Sequence, residues 1–347
     1  MSGAKKLKVG GRFIGDQEPC FVIAEIGSNH NQDLDLAFRM IDAAARSGVD
    51  AVKFQTFRAD SHYSKFTPGF SYLDNTDTHS LIKSLELDRS WQGKLKQHAE
   101  EHELVFFSSP CDSDAIAGLA ALDVDLYKVA SFDMTDQRLV GELAATGKPL
   151  IMSTGMATWS DIQFALDAAM GRGNDQLVLL QCTSLYPAPA NLSNLRAMAT
   201  MRQAFDVLVG YSDHTLGDHV ALAAVALGAC VIERHFTTDR SLPGPDHVFA
   251  IEPDEMSEMM KRLRDIEAAM GDGLKNGPRA EEMEMAQKGR RSLHALVDIP
   301  AGTVIDSSML TIKRPGLGIR PSLEAEVVGR TARRDIIADQ WITWDML

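Results

Sequence analysis

The chain has 347 residues, 45% of them hydrophobic and 24% charged, an ordinary balance for a soluble globular protein with room for one large domain and a small one. A formal net charge of −13 argues against nucleic acid and anionic membranes as partners, but a few buried lysines could still hold an anionic small molecule. MSGAKKLKVGG at the start has charge but no apolar core for a secretion signal, no apolar run approaches the ~20 residues of a membrane span, and the four cysteines lack C-x-x-C spacing; the expectation is a cytoplasmic protein with buried, unpaired thiols.

Residues 7–15, LKVGGRFIG, read as a small hairpin turning at Gly10-Gly11. Eight apolar, β-branched runs follow at 21–27, 51–57, 104–110, 125–131, 148–155, 177–184, 206–214 and 229–236. Helical patterns separate them. In 34–45, Leu34, Phe38, Ile41 and Ala45 form one stripe behind Asp33 and Asp35, which suit a helix N-terminus. Segment 158–170 opens with Ser160 and Gln163 at capping-box spacing, and 215–228 reads as a helix burying Leu216, Val220, Ala224 and Leu227. Strands alternating with helices in this way predict a (β/α)8 TIM barrel, with a doubly wound open sheet as the alternative. Polar residues at nearly every strand's C-terminal end favour the barrel. A helix at 253–270 closes this domain, taken as 1–272. The Gly- and charge-rich 273–290 reads as a linker, and 291–347, punctuated by PAG, RPGLG and RPS, as a small irregular β module.

Barrel enzymes carry their sites at the C-terminal ends of the strands, where residues two apart share a face. Lys53 pairs in this way with Gln55, Ser131 with Asp133, Ser212 with His214, and Glu233 with His235. Glu25 ends the first strand, and Lys128, Ser153, Thr154 and Tyr186 end the middle ones. Lysines, hydroxyls and the STG turn (153–155) before a helix are parts of a phosphate site. His214 and His235, on neighbouring strands, can point at one metal and leave positions open for substrate oxygens. The stretch GYSDHTLGDHV (210–220) sets His214 and His219 roughly 140° apart if all helical, so a strand-to-helix boundary is expected between them, with no chemical role for His219. HAEEH (98–102) has Ala99 where H-E-x-x-H needs Glu and reads as a solvated helix face. His62 and His79 lie in the polar segment 58–87, either a lid or a plain insertion. The methionines near 256–260 and 283–285 read as packing, and Glu233 either orients a ligand or fills a core layer.

IAEIGSNHNQ (23–32), DAVKFQTF (50–57), YKVASFD (127–133), STGMAT (153–158), LQCTSLYP (180–187), GYSDHTLG (210–217), VIERHFT (231–237) and PGPDH (243–247) together resemble the sialic acid synthase family. IPAGTVI and KRPGLGI (312–319) in the tail resemble its C-terminal antifreeze-like (SAF) domain. The resemblance implies condensation of phosphoenolpyruvate with an N-acetylhexosamine, N-acetylmannosamine first, to give a nonulosonic acid and phosphate. A diacetamido-dideoxy hexose, as in legionaminic or pseudaminic acid synthases, or a 6-phosphorylated acceptor is the alternative. It implies that Lys53, Ser109, Lys128, Ser131, Ser153, Ser184 and Ser212 contact phosphoenolpyruvate, and that Gln55, Asp133, Tyr186 and Asp246 face the sugar. Glu25 would move a proton or position water. His214 and His235 would hold a divalent ion, manganese by type, acting as a Lewis acid on the aldehyde. Arg314 would reach the other subunit's site in a domain-swapped homodimer. Many sialic acid synthases have Ser-Gly-Glu where this chain has Ser131-Phe132-Asp133. Ser-Phe resembles the pseudaminic branch, while PGPDH resembles the sialic and legionaminic branches. Ser184 replaces a common Asn and Ser109 a Thr. A metal-dependent barrel hydrolase would want His-x-His where Ala24-Glu25-Ile26-Gly27 stands, and a mere sugar-binding module would not need the polar strand ends.

Overall fold

The computed structural model describes residues 4–69 and 77–347. The chain divides into two compact units, Met1–Gly271 and Asp272–Leu347. A hairpin opens the first, β1 (Lys6–Val9) against β2 (Arg12–Gly15), turning at Gly10-Gly11. Eight parallel strands follow: β3 (Phe21–Gly27), β4 (Ala51–Thr56), β5 (Val105–Pro110), β6 (Tyr127–Val129), β7 (Leu150–Ser153), β8 (Leu177–Cys182), β9 (Leu208–Asp213) and β10 (Val231–His235). Their order is β5-β4-β3-β10-β9-β8-β7-β6, and β5 and β6 lie side by side at the seam, so the sheet is a nearly closed TIM-like barrel. The intervening helices cover it. They are α1 (Leu34–Arg46), α2 (Ala59–His62), α3 (Thr78–Ser84), α4 (Gln92–Glu101), α5 (Ser113–Ala121), α6 (Gln137–Ala144), α7 (Trp159–Met170), α8 (Arg196–Phe205), α9 (His219–Ala226) and α10 (Pro253–Met270).

Period-two alternation builds two layers from each strand. Outward residues such as Val22, Ala24, Val52, Phe54 and Ile232 pack against the helices. Inward residues change character along the strand. The lower interior is apolar (Phe21, Ile23, Ala51, Phe107, Ile151, Val178, Leu180 and Val231), and Val9 and Ile14 of the hairpin join this cluster and plug the N-terminal end. Each fully buried side chain of this size contributes about 1.5–3 kcal/mol. Gly210 is needed here: a Cβ would lie 2.4 Å from the Val231 carbonyl and 2.7 Å from Leu180 Cδ2. One or two steps further along, the inward positions become Glu25, Lys53, Lys128, Ser153, Ser212 and Glu233. The barrel therefore has an apolar lower interior beneath a charged layer, and that layer is the floor of the cavity at its C-terminal mouth.

Helix ends differ from the sequence reading in two places. α7 is capped by Thr158 with Asp161 at N3, not by Ser160 with Gln163; Thr158 is the last extended residue before the turn, while Gln163 bonds Asp167 one turn on. α9 begins at His219, not 215, because Gly217 takes φ +75° and breaks the run. Leu216 and Leu227, expected inside, are each 55% exposed; Val220 and Ala224 are buried as expected, and Ala221 and Val225 join them. In α1 the buried face centres on Ala37, Met40, Ile41 and Ala44, with Leu34, Phe38 and Ala45 at its edge.

In the second unit, β11 (Ser292–Ala295) pairs antiparallel with β12 (Leu310–Lys313), and isolated bridges such as Ile299–Ile336 and Val304–Thr331 complete an irregular β core around Leu293, Ile305, Ile319 and Ile342. Helix α11 (Met283–Gly289) falls inside the segment read as a linker. No helix among the described residues is long and apolar enough to cross a membrane. All four cysteines are unpaired.

Candidate active site

A cavity opens at the C-terminal end of the barrel. The strand-end residues expected to bind or react line it, except Thr154, Ser184 and Arg314; the Thr154 hydroxyl instead donates to the Leu180 carbonyl at 2.9 Å. Strand register sets their levels: His235 lies opposite Glu25, Glu25 opposite Lys53, Gln55 opposite Ser109, and Ser212 between Glu233 and Cys182. Phe57, His62 and Tyr63, with Leu81, Ile82 and Leu85 of the 58–87 segment, form one wall. Residues 70–76 of that segment lie outside the described residues.

The floor holds four buried charges. Lys53 Nζ lies 2.6 Å from Glu25 Oε2 and 3.7 Å from Glu233 Oε1. Lys128 Nζ lies 4.0 Å from the same Glu233 oxygen, and donates to Ser153 Oγ at 2.7 Å and to the Val129 carbonyl at 3.0 Å. Gln55 Nε2 donates to Glu25 Oε1 at 2.7 Å. Glu233, whose sequence reading was divided, is thus the carboxylate shared by both lysines. Burial drives the Glu25 carboxyl up; Lys53 opposes this and the Glu233 charge adds to it. Burial also pulls Lys128 below the usual ammonium range. On Lys53 burial acts in the same direction but is outweighed by Glu233 and Glu25, which hold the ammonium above it.

The STG turn is shaped by close approach. Gly155 N–H donates to Ser131 Oγ at 3.0 Å, and a Cβ at Gly155 would lie 2.2 Å from Ser184 Oγ and 2.8 Å from Ser131 Oγ. Ser184 therefore packs behind the turn, and its buried hydroxyl has no hydrogen-bond partner among the described residues.

The two histidines sit side by side, ring centroids 5.4 Å apart, with Tyr186 over His214 at 4.4 Å. His214 Nδ1 donates to the Thr183 carbonyl at 2.9 Å, leaving Nε2 as the available lone pair. Burial pulls His214 down, but Cys182, whose Sγ is 3.9 Å from Nδ1, together with the Thr183 carbonyl and Glu233, outweighs it. Burial, with the His214 and Lys53 charges, holds His235 well below the usual imidazole range. His235 Nδ1 is buried without a hydrogen-bond partner among the described residues, and Asp246 Oδ2 stands 3.5 Å from it. A neutral, unpartnered buried imidazole beside a second one that gives up its Nε2 proton as a metal binds is a donor set that fits a divalent ion. Sequence reasoning missed what holds this loop. Arg234, buried on the outer face of β10, lies 3.5 Å from Asp213, donates to the Thr215 carbonyl at 2.7 Å and also bonds the Gly217 carbonyl. His219 is exposed at the start of α9.

In the turn after β3, His30 is buried between Phe54 and Trp91, at centroid distances of 6.2 and 6.3 Å. Its Nδ1 accepts from Gln32 N–H and its Nε2 has no partner among the described residues. Burial lowers it to about 4. The unfolded chain, with an ordinary imidazole near 6.5, binds the extra proton first, so stability is full above pH ~6.5 and falls as pH drops toward ~4, by about 3 kcal/mol at the limit. His30→Phe is expected to remove much of this loss in denaturant titrations at pH 7 and 4.5; an unchanged acid loss in the variant would contradict the assignment.

In the second unit Arg314 is exposed, and its Nε donates to the Gly289 carbonyl at 2.6 Å.

Comparison with known proteins gives one consistent picture. Residues 40–275 match the NeuB family model, and residues 290–347 match the SAF domain. The chain is 40% identical to the N,N'-diacetyllegionaminic acid synthase of Legionella pneumophila, over 95% of each chain. It is 39% identical to the enzyme of that name from Campylobacter jejuni, over 92% of this chain and 98% of the relative. The crystal structure of N-acetylneuraminic acid synthetase from Leptospira borgpetersenii in complex with citrate aligns with a TM-score of 0.74 at 33% identity, covering 81% of this chain and 95% of that one.

Proposed function

Since the chain belongs to the NeuB family, a family of phosphoenolpyruvate-dependent sugar-condensing synthases, we propose that phosphoenolpyruvate occupies the buried floor of the cavity and a diacetamido-deoxyhexose its rim. The observation that carries the first half is the charge balance of the floor. Lys53 and Lys128 are already matched by Glu25 and Glu233. A substrate with two or three negative charges needs compensation beyond this, which a bound cation supplies. His214 and His235, side by side with ring centroids 5.4 Å apart, fit that need.

The ion, manganese in this reading, would when bound polarise the acceptor's aldehyde as a Lewis acid. Lys53 and Lys128, with Ser131, Ser153 and Ser212, hold the phosphoenolpyruvate anion so that its C3 faces the aldehyde carbon. The new C–C bond forms there, and the electron pair of the enol double bond leaves C2 cationic. Water adds to C2 and passes a proton to Glu25, whose raised pKa brings it closer to the working pH of a base. Cleavage of the C2–O bond then expels phosphate and leaves the 2-keto acid.

The rim favours two acetamido groups. Phe57, Leu81, Ile82, Leu85 and Phe132 offer apolar contact for acetyl methyls, and Asp133 and Asp246 accept from N–H and hydroxyl groups. Among the described lining residues the only Lys or Arg are the floor lysines, which disfavours a 6-phosphorylated acceptor. This reverses the order read from the sequence, which set N-acetylmannosamine first. The resemblance at KRPG supports the swapped-dimer reading, in which Arg314 of the partner subunit meets the acceptor. Steady-state kinetics on an acceptor panel test both points. The diacetamido sugar is expected to give the highest kcat/KM, and Arg314→Ala to raise the acceptor KM at least about tenfold with little change in stability. A preference for N-acetylmannosamine, or unchanged acceptor kinetics in Arg314→Ala, would overturn the respective point.

A further inference from the structure

Two side chains at the mouth have no part in the condensation, and both face Asp133. His62 ends α2, and its Nε2 lies 3.6 Å from Asp133 Oδ1. Cys111 follows β5, and its Sγ lies 3.6 Å from Asp133 Oδ2. One donor atom from each of the three lies within 4.8 Å of the others. Zinc bonds of 2.0–2.3 Å place tetrahedral ligand atoms roughly 3.3–3.8 Å apart; both measured separations fall in that range, one to each Asp133 oxygen, so a small turn of the carboxylate offers one oxygen to a shared ion. The imidazole is packed against Phe57, with rings 17° from parallel and centroids 6.4 Å apart, which helps to aim Nε2 inward. The side chains of His62 and Asp133 are 19% and 11% exposed, and Cys111 is half-buried, so an ion can enter while most of its surroundings are already desolvated.

The other His-rich trio differs in kind. Nε2 of His98 and of His102 lie 2.7 and 3.0 Å from one oxygen of Asp42. These are hydrogen-bond distances, too short for a shared ion, and they tie α4 to α1.

We propose that His62, Cys111 and Asp133 bind a borderline-soft divalent cation, zinc by donor type, and that this ion closes the mouth to the acceptor. An imidazole, a thiolate and a carboxylate suit zinc rather than the oxygen-preferring magnesium or manganese, and the fourth position faces the cavity. On binding, the Cys111 thiol gives its proton to solvent as the S–metal bond forms, so uptake of the ion releases a proton. The ion fastens α2 to the ends of β5 and β6 and takes up the Asp133 carboxylate. Exclusion of the acceptor rests on the reading of Asp133 given above; binding of the ion does not.

Cobalt(II) titration of the full-length protein tests binding without turnover. A thiolate-to-cobalt charge-transfer band is expected in the near ultraviolet, lost in Cys111→Ser and weakened in His62→Ala, but retained in Cys182→Ser. No band in the wild-type protein, or one that survives Cys111→Ser, overturns the site. The second arm is zinc inhibition in excess manganese: competitive with the acceptor in the wild type, and needing at least about tenfold more zinc in Cys111→Ser. Equal zinc sensitivity in the two proteins, with the cobalt band present, overturns the closure alone. Absence of turnover with every acceptor would bear on the proposed function and leave the cobalt result standing.

Discussion

Lys53→Met is expected to reduce condensation by at least about 10³-fold and to destabilise the barrel by about 3–5 kcal/mol. Lys53 is 3% exposed and stands between Glu25 at 2.6 Å and Glu233 at 3.7 Å. Removing it leaves two carboxylates in the interior with only Lys128, 4.0 Å from Glu233, to balance them. The surviving groups then raise their pKa values to shed charge, so the deficit grows with rising pH. Lys53→Met combined with Glu25→Gln removes one charge of each sign, and should recover much of the stability and none of the activity. Denaturant midpoints for the single and double variants, together with phosphate release, decide it. A single variant as stable as the wild type would show that the floor charges are not coupled as described.

His214→Ala is the second large effect: turnover lost by at least about 10³-fold, together with the dependence on divalent ion. The imidazole is fixed by its Nδ1–H bond to the Thr183 carbonyl and by Arg234, which fastens the loop behind it. His98→Ala is the matched control, because His98 lies on α4 against Asp42. Manganese binding followed by electron paramagnetic resonance should weaken in His214→Ala and persist in His98→Ala. Equal activity in the two variants would contradict the assignment of the ion to the His214–His235 pair.

The barrel was legible because strand periodicity and strand order are local properties. β3 and α10 run where their apolar patterns place them, and the inward face of each strand shows its own change from apolar to polar. Strand ends could be read for the same reason, which is why Glu25, Lys53, Lys128 and His235 converge. Three-dimensional closeness without a local signature was not legible. Nothing in the sequence sets Glu233 between two lysines that come from other strands, or puts Ser184 behind Gly155. Cys111 follows the apolar run 104–110 with no ligand spacing around it, and only the fold brings His62 from the 58–87 segment across to it. The misplaced start of α9 has a simple cause: Leu216, four residues before Val220, continues the helical apolar pattern, but Gly217 takes a left-handed conformation that the pattern does not record.

The measurement that bears most directly on the central claim is phosphate release by the purified protein from phosphoenolpyruvate, manganese and a diacetamido-deoxyhexose in ¹⁸O-labelled water. The predicted result is one phosphate per molecule of 2-keto acid formed, with the phosphate unlabelled because the C2–O bond is the one that breaks. No phosphate with this or any other amino-sugar acceptor, or phosphate that carries the label, would contradict it.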